Sequence, residues 1–277
     1  MLPSGRIVFA IALIGLGVVS LIFRDFVHNL QPVDLLVSTT TPGYRPFALA
    51  SGMLLIVAGV LIMLRVRAYD AAIALAVFLM LWIVFLQVPS AVLNPRLLRS
   101  PWWVRTFEVL AMTGALLILA GHDIRPTRER LIQLGRVLFG VSLPVFGVLH
   151  FIYASNVASL IPAFYPFPLA LAYITGAAKI AAGAAIVLGK VPRQAAGLTA
   201  LLYGVYALTL HIPRQIMEPS WDAQRAGLTS MFVAIAFCGA ALIVAGSLER
   251  RARDSVAADG SVFNGRELDE FSPVGRP

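Results

Sequence analysis

The chain has 277 residues, of which 59% are hydrophobic and only 13% charged, and its mean hydropathy is +0.84. A water-soluble domain of this length needs far more polar surface, a disordered chain is far less hydrophobic, and a collagen-like fibre would show a glycine period, so lipid must solvate the excess apolar area. The formal charge of +8 sits in short segments between apolar runs, with no basic stripe interleaved with aromatics, so it reports membrane topology and excludes a nucleic-acid partner.

A bilayer core asks for roughly 17 to 25 apolar helical residues per crossing. The chain offers such runs at about 7–23, 47–64, 70–87, 105–120, 136–153, 168–188, 194–211 and 228–246. The first reads as a genuine span rather than a removable leader, because no small-x-small cleavage site follows Phe23-Arg24-Asp25. The fourth is the weakest, being short and containing Glu108, for which Arg105 is the expected partner; its start reaches back to Trp102-Trp103, a pair suited to an interfacial belt. Long unbroken runs satisfy their own backbone hydrogen bonds as helices and lack the alternation of a barrel, so the expected class is an all-α polytopic helical membrane protein. With both termini cytoplasmic, Arg6, Arg65, Arg67, Arg125, Arg128, Arg130, Arg136, Lys190, Arg193, Arg250, Arg251 and Arg253 lie inside, against Arg24, Arg45, Arg96, Arg99, Arg105, Arg214 and Arg225 outside, and the uncharged stretch 154–167 is the clearest part of the bias. The location expected from this is the cell membrane. The polar segment from Ser255 to Pro277, rich in Gly, Ser and Pro, is expected to be disordered.

The second half repeats the first. Gly5-Arg6 answers Gly135-Arg136, Gly17 answers Gly147, and Gly52 and Gly59 answer Gly176 and Gly183. Leu86-Gln87-Val88-Pro89 aligns with Leu210-His211-Ile212-Pro213, Asn94-Pro95 aligns with Glu218-Pro219, and Gly114 and Gly121 answer Gly239 and Gly246. Matches in one order across four successive spans indicate duplication. The expected organisation is two tandem four-helix transmembrane bundles, at 1–121 and 134–247, joined by a basic cytoplasmic linker at 122–133 and followed by the tail at 248–277. An even number of spans per copy makes the repeats parallel, related by an axis along the membrane normal. The glycine pairs, seven residues apart, read as close helix packing. Pro89 and Pro213 are expected to end the third and seventh spans, and the segment Pro162 to Pro168 to break the helix and anchor or cap the second bundle.

Polar residues at membrane depth mark the candidate site. Lys179 falls mid-span, where an ammonium costs roughly 2.5 kcal/mol or more, so it should face the bundle interior or a cavity. It is placed either to attract an anionic or carbonyl-bearing ligand, a quinone included, or to pair with a carboxylate or helix carbonyls. His150 with Tyr153, then Tyr203, Tyr206 and His211, and then Arg214, Gln215, Glu218 and Trp221 belong to the outer half of the same bundle, so one vestibule floored by Lys179 is geometrically open to them. The candidate binding set is Lys179, His150, His211, Tyr206 and Arg214. The histidines are suited to proton exchange near neutral pH. No metal site is expected: Glu218 is more simply the i+4 partner of Arg214 than the carboxylate of a two-histidine set. Cys238 is the only cysteine, which excludes an internal disulfide or a CxxC pair and leaves redox chemistry to a bound cofactor or a lipid-soluble quinone.

Gly135-Arg136, the run Gly147-Val148-Leu149-His150-Phe151, the Pro162 to Pro168 segment, Gly176 to Gly183 and His211-Ile212-Pro213 resemble the DoxX-like family of four-span membrane proteins. The resemblance covers roughly 134–247, with 5–121 a more distant relative. It implies a role beside thiosulfate:quinone oxidoreduction or membrane redox and oxidative-stress complexes, with redox proteins as partners. Family members often have an acidic residue where this chain has Lys179, so no carboxylate-dependent role carries over. No dinucleotide fingerprint, haem pattern or phosphate loop adds support. Three functions remain open at this level: a quinone-linked accessory, a small-molecule or ion transporter, and a noncatalytic membrane scaffold.

Overall fold

The computed structural model describes residues 1–27, 39–93, 104–124 and 126–269, with side chains described as far as Leu248, Asp222 excepted. The Trp102-Trp103 pair and the Asn94-Pro95 match lie outside the described residues. Every regular element described is helical, and eight helices are long and apolar enough to cross a bilayer: Leu2–Phe23, Tyr44–Leu64, Ala68–Leu93, Val104–Asp123, Glu129–Ile152, Pro168–Leu188, Pro192–Met217 and Ala223–Leu248. They are called the first to eighth spans. The all-α, polytopic membrane class is therefore as the sequence implies. The last helix runs on as Trp221–Asp269, over much of the segment whose composition suggests a disordered tail. Its Ala, Arg, Glu and Leu content between residues 249 and 269 favours a helix more than the Gly, Ser and Pro content disfavours one.

Two spans are longer than expected, and the prolines do not end them. The third is α-helical over Ala68–Trp82, widens to a π-helical turn at Ile83–Gln87, and resumes as an α-helix over Val88–Leu93. The seventh does the same through Pro192–Tyr206, Ala207–His211 and Ile212–Met217. Proline inside a regular helix loses one hydrogen bond and clashes with the carbonyl four residues back. A π-helical turn ahead of Pro89 and Pro213 shifts those carbonyls, so the chain continues instead of stopping.

Several local features recur in the two halves. A methyl group added at Gly17 would strike the Gly52 carbonyl oxygen and the Ile56 side chain, and one at Gly147 would strike the Gly176 carbonyl oxygen and Ile180. The first and second spans, and likewise the fifth and sixth, therefore touch backbone to backbone. The tight turns that follow also agree, with Arg65 and Gly189 and then Arg67 and Val191 in the left-handed region.

The halves also lean on each other. The first span packs along the eighth and the fourth along the fifth, while the fourth and eighth touch at the centre. Glycine again sets the closeness: added methyl groups would meet backbone between Gly114 and Gly135 and between Gly5 and Gly239. Each half thus borrows a wall from the other. At the end that carries the N-terminus, the Arg6 guanidinium donates to both carboxylate oxygens of Asp123, at 2.5 and 2.6 Å. Arg136 donates to the Ser247 hydroxyl and carbonyl, at 3.0 and 2.9 Å, and makes a longer ion pair with the more exposed Glu129 at 3.4 Å. At the opposite end Arg225 bridges to Asp25 at 2.9 Å and to the Phe26 carbonyl at 2.8 Å.

Candidate functional site

The close approach at Gly147 and Gly176 decides what the end of the fifth span can reach. The His150 ring falls one turn beyond Gly147, beside the sixth span. Its Nδ1 lies 3.1 Å from the Ala172 carbonyl oxygen and 3.0 Å from Thr175 Oγ1. The Thr175 hydroxyl donates to the Leu171 carbonyl at 2.8 Å, so Nδ1–H is the donor to its neighbours and Nε2 keeps its lone pair. That lone pair faces Lys179, whose Nζ–H donates to Nε2 at 2.7 Å.

Lys179 is 5% exposed and sits on the sixth span between Gly176 and Gly183. Its ammonium lies 5.4 Å from the Tyr203 ring centre and 5.1 Å from that of Tyr206, within cation–π range of both. No carboxylate among the described residues comes within ion-pair distance of it. Of the two roles the sequence leaves open, pairing with a carboxylate is therefore not how this charge is held. An imidazole and two ring faces hold it.

Around Lys179 is a cavity of about 980 Å³. Lys179, His150, His211, Tyr206 and Arg214 all line it, so the structure brings the five sequence candidates to one space. The π-helical turn in the seventh span explains how Tyr206 and His211 share a wall, since residues five apart come to the same side in that geometry. Arg214 is exposed and sits at the mouth. The remaining walls are largely apolar, with Phe146, Leu149, Leu202, Val233 and Phe237 among them. A mostly apolar concavity with a few convergent polar groups is the usual form of a small-molecule site.

Other expected members stand elsewhere. Gln215 packs against Gly227, and Trp221 packs at a tilt against Phe23, 4.5 Å between ring centres. Glu218 does not pair with Arg214: the helix ends at Met217, which removes the i+4 register, and its Oε1 accepts from the Ser220 backbone N–H at 3.2 Å. Within the uncharged stretch a short helix, Ala154–Leu160, precedes the Pro162 to Pro168 segment. Tyr165 from that segment lines the cavity and donates to Thr209 Oγ1 at 2.8 Å, while Phe164 and Phe167 point outward and are strongly exposed. The segment thus both caps and anchors.

Sequence reasoning missed Glu108. Assigned to the first bundle with Arg105 as its partner, it lines the same cavity as Lys179 together with Arg105, whose charge acts on it although no hydrogen bond or ion pair of Glu108 is present among the described residues. The only signal that could have found it was its depth in an apolar span; the packing of the fourth span on the fifth was not readable. Among the described residues, no three His, Cys, Asp or Glu side chains gather as metal ligands would.

Residues 139–245 match the model of a family described as a domain of unknown function (DUF8561). That stretch takes in most of the fifth to eighth spans and most of the cavity wall. No curated protein matches the chain, and neither does any solved structure.

Proposed function

We propose that the protein binds a small amphipathic molecule with a carbonyl-bearing head group inside its membrane cavity, and acts as an accessory to a quinone-linked redox system, as the DoxX-like resemblance implies. One observation carries this reading: the Lys179 ammonium, 2.7 Å from an imidazole nitrogen and without a carboxylate contact, opens into a largely apolar cavity of about 980 Å³. A charge at this depth is stabilised by a ligand oxygen that accepts its remaining hydrogen bonds. A quinone ring offers such oxygens on a flat apolar body, the Tyr203 and Tyr206 rings offer stacking faces, and the apolar walls suit a lipid-soluble tail. The matched glycine contacts support descent of the two halves from one four-span unit. The basic residues between spans support placement in the cell membrane with both termini cytoplasmic.

The test is equilibrium binding of a short-tailed quinone analogue to the purified full chain in detergent. Lys179→Met is expected to weaken binding by about tenfold or more, the scale of a lost charge-assisted hydrogen bond, and His211→Gln by less. Absence of binding, or equal binding by all variants, overturns the reading. Substrate flux in proteoliposomes that disappears with Lys179→Met would replace it with transport, which the walls shared between halves also suit. A stable partner complex whose activity ignores these substitutions would replace it with a scaffold.

A further inference from the structure

We infer that Lys179 is a nucleophile and that the cavity takes an apolar aldehyde, held covalently as an imine, with His150 moving the proton. The inference rests on the cavity reading above and deepens it, from a carbonyl head group that is bound to one that is also captured.

Residue choice is the first observation. Of the 22 lysine and arginine residues in the chain, only Lys179 and Lys190 are lysine. Where a cation clasps a carboxylate the chain uses arginine, as at Arg6 with Asp123 and Arg225 with Asp25. A guanidinium stays protonated, whereas a buried amine can release its proton and use the lone pair. Geometry is the second observation. Lys179 Nζ stands on the cavity wall, 2.7 Å from His150 Nε2 and without a carboxylate at ion-pair distance among the described residues. The Ala172 carbonyl, 3.1 Å from Nδ1, accepts the other ring N–H and fixes the tautomer that leaves Nε2 free to take a proton. An amine, a base within hydrogen-bond reach and a third group that orients the base are the parts of an activated nucleophile. The surrounding walls, Phe146, Leu149 and Val233 among them, suit an apolar chain on the aldehyde.

The step balances with these groups alone. The ammonium passes a proton to Nε2, and the amine lone pair attacks the carbonyl carbon. The C–N bond forms as the carbon–oxygen π pair moves to oxygen, and a proton shifts from nitrogen to that oxygen to give a carbinolamine. The imidazolium then returns its proton to the hydroxyl, which leaves as water while the nitrogen lone pair closes the C=N bond. The product is an iminium that keeps one N–H for Nε2. Its charge lies by the Tyr203 and Tyr206 rings, whose centres are 5.4 and 5.1 Å from Nζ.

The test incubates the purified full chain in detergent with dodecanal and sodium cyanoborohydride, which reduces an imine to a stable amine, and locates the adduct by peptide mass spectrometry. Lys190, exposed just beyond the sixth span, is the internal reference. Lys179 is expected to react at least as fast as Lys190 although it is 5% exposed. His150→Phe is expected to slow the reaction at Lys179 by about 100-fold, the lower end of what a positioned acid–base group contributes, and to leave Lys190 unchanged. No adduct on Lys179 under conditions that label Lys190 overturns the inference; if the quinone analogue still binds, the cavity reading survives alone. An unchanged rate in His150→Phe overturns the role of His150. An adduct on Lys179 without binding of the quinone analogue overturns the quinone reading and leaves the imine site, and failure of both removes both.

Discussion

The two halves of the molecule share glycine contacts, left-handed turns and π-helical turns, and differ in the side chains those features surround. Where the second half has His150, Lys179, Tyr206 and His211, the first has Ser20, Leu55, Trp82 and Gln87. The Ser20 hydroxyl donates to the Ala48 carbonyl at 3.2 Å, the counterpart of the bond from His150 to Ala172. Beyond that point aromatic side chains gather in the first half. The Trp82 indole packs against Phe26 at 5.2 Å, Phe78 at 5.6 Å and Phe47 at 6.2 Å between ring centres. Trp82 Nε1 and both amide atoms of Gln87 are buried without a hydrogen-bond partner among the described residues. The lesson is that glycine contacts and π-helical turns set the frame, and side-chain volume sets how much space is left inside it.

The sharpest way to break the contrast is to hollow the first half. Trp82→Ala removes the ring that fills it and is expected to cost about 3–5 kcal/mol, the usual penalty for truncating a buried large aromatic side chain, read as a fall in thermal unfolding temperature in detergent. Next comes the clasp near the N-terminus. Asp123→Ala leaves the buried Arg6 uncompensated at a cost of about 3 kcal/mol, whereas Ser247→Ala in the other half removes one neutral hydroxyl partner of Arg136 at about 1 kcal/mol. Differential scanning on the two variants checks the asymmetry; equal losses would mean the ion pair confers nothing extra. Gly17→Ala and Gly147→Ala should each cost about 1–3 kcal/mol by overpacking, and by similar amounts, because the contacts they crowd are the same. A loss confined to one half would show that the matched backbones are not matched in energy. The smallest effect on stability is expected from filling the second half. Tyr206→Trp should change it by less than about 1 kcal/mol, since the cavity has room, yet it should weaken quinone-analogue binding by about tenfold or more. Retained binding would place the ligand away from the tyrosine wall.

Much of this was legible in one sequence. The spans follow from runs of apolar residues whose length the bilayer dictates, and the mid-depth charge of Lys179 announces an enclosed polar site because hydrocarbon would not tolerate it. His150 could be placed near Lys179 because helix spacing and orientation bring both to the outer half of one bundle. Glu108 could not be found this way. Its neighbours are set by the packing of the fourth span on the fifth, and nothing local in Val104–Asp123 encodes that pairing. The prolines misled for a related reason: proline disfavours a regular helix, but a preceding π-helical turn accommodates it, and that turn is not apparent from composition.

The sequence by itself determined that the chain is built for lipid, that it crosses as helices, and that a charge stands at mid-depth at Lys179, because solvation of single groups is a local property of each residue. Tertiary structure alone decided which spans touch, that Glu108 of the first half joins a cavity wall of the second, and that this cavity opens around Lys179. Those outcomes depend on summed volumes and backbone approaches between residues distant in the chain, where a glycine at one position acts only through the atom that comes to face it.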